Sequence, residues 1–78
     1  MDNESPYQFL AKYIGKRIQV RLKDSECYEG KLVKIQESEH GFLGNILLHD
    51  ANRVNPDEKK VDWLLIRGNN IAKYLLEI

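Results

Sequence analysis

Ile66-Arg67-Gly68-Asn69-Asn70-Ile71 is a polar kink set between two apolar runs, Val61-Asp62-Trp63-Leu64-Leu65-Ile66 before it and Ile71-Ala72-Lys73-Tyr74-Leu75-Leu76 after it. Both runs are rich in the β-branched, aromatic and aliphatic residues that suit a pleated surface. The kink therefore reads as a hairpin turn, because Gly68, Asn69 and Asn70 tolerate the positive backbone torsions that a tight reversal needs. Such a turn has no need of Arg67. An arginine where a strand enters a turn projects a planar, always charged fork at the rim of the sheet, which suits a phosphate or the face of a flat base. The plain alternative is a solvated loop arginine.

Working back towards the N-terminus, Ser5-Pro6 opens a short helix, expected over about residues 6–14. Serine is a good N-cap, and proline suits the first helical position because its missing N–H has no partner there. Phe9, Leu10, Tyr13 and Ile14 form one apolar stripe, with Lys12 and Lys16 facing outward, and Gly15 is the natural stop. Arg17 to Lys23 then alternates strictly, with Ile18, Val20 and Leu22 inward, as in a sheet with one wet face. Cys27 to Glu37 is a longer strand interrupted by Gly30, where a small sheet bends or bulges. Residues 38 to 44 form a polar loop, and Asn45 to Ala51 a third strand with Ile46 and Leu48 inward. Residues 52 to 60 are an exposed connection around the turn chemistry of Asn55-Pro56-Asp57, with Lys59 and Lys60 solvated. The fold class is mainly β: a short N-terminal helix followed by a strongly bent five-stranded antiparallel sheet that forms a small open barrel.

Seventy-eight residues make one domain, 1–78, whose core is modest because a chain this short buries only about 60% of its unfolded surface. A single cysteine, Cys27, excludes an intramolecular disulfide. With an acidic, polar start that does not resemble a signal peptide, it predicts an intracellular protein, nuclear or cytoplasmic if eukaryotic and cytoplasmic if prokaryotic. Formal net charge is zero, yet residues 11–34 hold seven cations against three anions, a local +4 that the remainder must balance. A protein of this kind is a poor non-specific polyanion binder, so any nucleic-acid contact should be specific, small per subunit and single-stranded.

Trp63-Leu64-Leu65-Ile66 and Tyr74-Leu75-Leu76 are apolar in succession, so both faces of the last two strands want cover. Five short strands cannot cover both faces and leave no bare edge. Pairing of these strands with neighbouring subunits meets both needs, with Trp63, Leu65, Tyr74 and Leu76 as contact residues, and head-to-tail pairing by a fixed rotation closes into a ring.

The pattern resembles the Sm and Sm-like (LSm) proteins over nearly all of the chain, from about Ser5 to Leu76. The first Sm motif, about 17–51, is matched by Ile18, Val20 and Leu22, then Tyr28-x-Gly30-x-Leu32, then Asn45-Ile46-Leu47-Leu48-x-Asp50-Ala51. The second, about 61–77, is matched by Ile66-Arg67-Gly68-Asn69-Asn70-Ile71. The resemblance implies a helix-capped barrel joined through its fourth and fifth strands into a homo- or hetero-oligomeric ring of six or seven, binding short uridine-rich or A/U-rich single-stranded RNA in RNA processing or decay. It places Asn45 on the base edge and Arg67 on base and phosphate. Beside Gly68, Asn69 supports the pocket where many relatives have Asp.

This chain departs from that pattern at Gln36, where relatives usually have Asp, and in a loop longer by about five residues. Gly44 takes the methionine-like position, and Leu43, a poor base platform, takes the stacking one. Phe42 or His40 could replace it, since an aromatic platform contributes roughly 1–3 kcal/mol per base; Phe42 could equally pin the loop and His40 be solvated. The same departures support an alternative, a scaffold subunit that assembles proteins with little RNA binding of its own. His40, His49 and Cys27 lack zinc-site spacing, and there is no phosphate-binding glycine loop or elbow serine. The expectation is no enzyme, no metal, no cofactor and no membrane segment.

Overall fold

The structure is a computed structural model and describes residues 5–76, the side chains at 40, 75 and 76 excepted. Helix α1 spans Pro6–Ala11, followed by strands β1 (Arg17–Leu22), β2 (Cys27–Glu37), β3 (Leu43–Asn55), β4 (Lys59–Arg67) and β5 (Ile71–Leu76). Short 3-10 turns, Glu39–Gly41 and Gly68–Asn70, precede β3 and β5. The strands form one antiparallel sheet in the order β4-β3-β2-β1-β5.

That order corrects the hairpin expected at Ile66–Ile71. β4 pairs only with β3 and β5 only with β1, so the kink carries the chain from one edge of the sheet to the other. The glycine torsion expected there is also absent, since positive φ among glycines occurs at Gly15 and Gly41 and not at Gly68.

The helix is shorter than the apolar stripe suggested. A reciprocal capping box opens it: the Ser5 hydroxyl accepts from the Gln8 amide, and the Gln8 side chain accepts from the Ser5 amide, both at 3.1 Å. Beyond Ala11 the chain closes into tighter turns, Tyr13 N–H donating to Leu10 C=O and Lys16 N–H to Tyr13 C=O. These turns deliver Gly15, at φ +94°, and Lys16 to β2, where Gly15 N–H donates to Leu32 C=O at 2.7 Å and Leu32 N–H to Lys16 C=O at 2.9 Å. Outside the helix, Tyr13 and Ile14 do not share its stripe. Leu10 alone of the four is fully buried, Tyr13 packs at the margin of the core, and Phe9 and Ile14 are exposed.

Alternation in β1 and β3 works as expected: Ile18, Val20, Leu22, Ile46 and Leu48 are buried and join Leu10, Leu32, Ile35, Ala51 and Ile66 in one core. Gly30 marks the bend. The β2–β3 register slips by one residue between Glu29 and Lys31, where β3 carries an extra residue around Asp50 at φ +54°. A Cβ at Gly30 would lie 3.1 Å from Ala51 Cα and 3.1 Å from Leu48 Cβ, so the absent side chain lets the bulged strand fold in against β2.

β3 and β4 are longer than expected. The connection foreseen over 52–60 shrinks to residues 56–58, because Asn52 pairs with Lys60 and Arg53 with Lys59 in the ladder. Arg53 Nε also donates to Asp57 C=O at 3.1 Å across the turn. Polar side chains hid strands whose outer faces are wet. At its other end β3 begins at Leu43, inside the stretch expected as loop, because Leu43 pairs with Glu37.

Candidate functional site

The loop before β3 and the turn before β5 meet at one end of the sheet, and glycines set how closely. A Cβ at Gly68 would stand 2.6 Å from Gly44 O, 2.7 Å from Leu43 O and 2.8 Å from Leu43 Cβ. One at Gly44 would stand 2.9 Å from Gln36 O. Gln36 of β2, Gly44 of β3 and Gly68 are therefore packed backbone against backbone, and Asn45 pairs with Arg67 across β3 and β4. The lengthened loop is itself anchored. Gly41, at φ +78°, lies so close to the helix cap that a Cβ there would be 2.6 Å from Ser5 Cβ.

An open depression of about 660 Å³ results, and its lining includes Phe42, Asn45, Arg67, Gly68 and Asn69, together with Pro6 and Ser38. Five of the six residues expected to touch a ligand thus surround one space. The sixth, His40, lies in the 3-10 turn of the loop, and its side chain falls outside the described residues. Phe42 is 60% exposed, whereas Leu43 packs against the core, so Phe42 holds the accessible aromatic face and Leu43 a structural place. Asn45 Nδ2 donates to Gln36 Oε1 at 3.2 Å, which leaves the other amide edge of Asn45 for a partner.

The Arg67 guanidinium is exposed and enters no ion pair or hydrogen bond among the described residues. Arg17 differs, since Asp50 neutralises it at 3.1 Å while Asp50 C=O accepts a second bond from its fork. Arg67 and Asn69 also border a second depression of about 420 Å³ with Leu22, Tyr28 and Ile66. There Tyr28 donates to Glu26 Oε1 at 2.9 Å, and partial burial and that carboxylate push its phenol above the usual range. Pro6, Ser38 and Gln36 are neighbours of the site that sequence reasoning did not assign to it. Gln36 stood out only as a departure from a pattern, and nothing in the spacing of Pro6 or Ser38 points across the fold.

The expected contact residues separate by face. Trp63 and Leu65 point outward from β4 and are 54% and 64% exposed, and Trp63 stacks on His49 with ring centres 4.0 Å apart. Tyr74 points the other way, half-buried against the protein's own core opposite Val20, and burial raises its phenol pKa. The Leu76 backbone pairs with Ile18, while its side chain lies outside the described residues. Among the described residues no group of three His, Cys, Asp or Glu could hold a metal ion, and no helix is long and apolar enough to cross a membrane.

A family model described as LSM domain matches residues 8–75. Among solved structures the chain is similar to an SmAP (LSm) protein from Methanococcus vannielii, with 30% identity, a TM-score of 0.74 and coverage of 97% of this chain and 100% of that one. It is also similar to the Pyrococcus abyssii Sm protein in complex with a uridine heptamer, at 26% identity and TM-score 0.71, covering 92% and 97%. A third similar structure is the P. aerophilum SmAP1 heptamer, at 29% identity and TM-score 0.67, covering 86% and 85%. No curated protein sequence matches the chain.

Proposed function

The chain belongs to the LSM-domain family, and from that premise we propose that it is a subunit of a closed ring that binds short uridine-rich single-stranded RNA in RNA processing or decay. The observation that carries the proposal is the convergence of Phe42, Asn45, Arg67, Gly68 and Asn69 on one open depression. Three of them would meet the base or phosphate directly. Phe42 offers a base platform worth roughly 1–3 kcal/mol. Asn45 presents a carbonyl and an N–H that match the N3–H and O4 of uracil, and Arg67 adds a flat cation for base face or phosphate. That similar proteins were solved as a heptamer and in complex with a uridine heptamer supports a ring and an RNA ligand.

The sheet order supports the ring. β4 and β5 are both left with one unpaired side, at opposite ends of the sheet, so β4 of one subunit can take β5 of the next. Each joint would add about four to six backbone hydrogen bonds at roughly 0.5–1.5 kcal/mol net apiece. The grounds for a scaffold role also find tasks in the site: Gln36 accepts a hydrogen bond from Asn45, Gly44 leaves room for the Gln36 backbone, and Phe42 offers the ring that Leu43 lacks.

Arg67→Ala tests the proposal. Fluorescence anisotropy should show oligo-uridine binding weakened by about 1–3 kcal/mol per engaged base, while native mass spectrometry gives the same ring mass as wild type. Unchanged affinity, or a wild-type protein that stays monomeric at micromolar concentration, would refute it.

A further inference from the structure

We infer that Gln36 makes the base-reading amide of Asn45 reversible, so that the site accepts cytidine nearly as well as uridine; the inference rests on the RNA-binding function proposed above. Asn45 and Gln36 face each other on neighbouring strands, Nδ2 to Oε1 at 3.2 Å, and among the described residues no further hydrogen bond ties either side-chain amide. Both groups carry a donor and an acceptor. Turning both amides over replaces Asn45 N–H to Gln36 O by Gln36 N–H to Asn45 O. One hydrogen bond is kept, and no buried group loses a partner, because both side chains lie at the accessible rim.

The turn inverts what Asn45 shows a ligand. In the first sense its carbonyl accepts the N3–H of uracil and its syn N–H donates to O4. In the second, the N–H and carbonyl exchange places, donating to N3 of cytosine and accepting from its exocyclic amine. A carboxylate at position 36 can only accept, so it would fix Asn45 in the first sense and exclude the second. Phe42 and Arg67 do not restore a preference, since stacking on a π-face is tolerant of base identity. Base choice at this site therefore depends on the freedom of one amide pair, and Gln36 is its positioning residue.

Oligo-uridine and oligo-cytidine of equal length, titrated against the intact protein by fluorescence anisotropy, test this with ring size of the base held constant. The wild type should bind the two within about threefold, whereas Gln36→Glu should favour uridine by about tenfold or more, the discrimination expected when a pairing edge is fixed against its inverse. Gln36→Leu, which leaves Asn45 unpartnered but free to turn, should weaken both ligands together and keep the ratio near one. A charge effect of the new carboxylate would lower both affinities equally, so the ratio isolates the amide. A strong uridine preference in the wild type that Gln36→Glu leaves unchanged overturns the reversible reader while the RNA-binding function stands. Absence of saturable binding to either oligonucleotide overturns both.

Discussion

Replacing Gly68 by alanine separates two explanations of the kink. With φ outside the left-handed region, an added methyl meets no torsional objection at Gly68, so its whole effect comes from contact. It would stand at 2.6–2.8 Å from Gly44 O, Leu43 O and Leu43 Cβ, while ordinary contact begins at 3.4 Å. The turn before β5 must then retreat from the start of β3 by about 0.8 Å, and two of the three obstacles are backbone carbonyls that cannot swing aside. Overpacking of this kind costs about 1–3 kcal/mol. For a domain of this size that is a Tm lower by about 4–20 °C, compared at equal protein concentration because assembly contributes to apparent stability. The same retreat parts Arg67 and Asn69 from Asn45 and Phe42, so oligo-uridine affinity should fall by about fivefold, near 1 kcal/mol. Thermal unfolding and anisotropy read both effects. Gly68→Asn provides the contrast: asparagine tolerates left-handed torsions, so a torsional role for Gly68 predicts a mild change, whereas close approach predicts damage at least equal to alanine. A Gly68→Asn protein with wild-type Tm and affinity would refute the packing explanation.

Phe42→Ala should lower oligo-uridine affinity by roughly 1–3 kcal/mol with little change in Tm, because the ring is mostly exposed; Leu43→Ala should do the reverse, since Leu43 packs on the core. Urea titrations and anisotropy on the two variants check the division, and matching effects would contradict it. Tyr74 is held neutral by burial, so its folded pKa lies above the unfolded value. Its stabilising contribution is complete below the unfolded pKa of about 10 and is lost as pH rises from there through the folded pKa. Tyr74→Phe should therefore flatten the alkaline limb of a stability-against-pH curve, and an unaltered limb would contradict this.

Alternation made β1 legible from residues alone, because Ile18, Val20 and Leu22 face one core and charged neighbours face water. Cys27–Glu37 reads as one long strand interrupted at Gly30, whereas the outer parts of β3 and β4 escape such a reading, because Asn52, Arg53, Lys59 and Lys60 sit in a ladder with no apolar face to announce it. The apolar pattern of Phe9, Leu10, Tyr13 and Ile14 suggests too long a helix because it does not reveal that Gly15 and Lys16 must reach Leu32. Arg67, Asn69, Asn45 and Phe42 were identifiable by chemistry and by resemblance to a family pattern. Their meeting is implied by that resemblance alone and not by the residue pattern, since it depends on three backbone segments touching at Gln36, Gly44 and Gly68, which leave no mark on periodicity. The kink reads as a reversal because glycine and asparagine favour reversals. Which strands it joins is decided by partners elsewhere in the sheet.

Pairing of β1 with β5 gives this small domain an awkward birth order. Its first strand to leave the ribosome must wait for the last, since Ile18 is matched with Leu76 and Val20 with Tyr74. Until residue 76 is clear of the exit tunnel, β1 has only β2 beside it, and the nascent chain carries an open flank that chaperones or stray strands could occupy. Completion of the sheet thus waits for β5 to emerge, and a translational pause short of Ile71 would hold every finished element in an unsealed state.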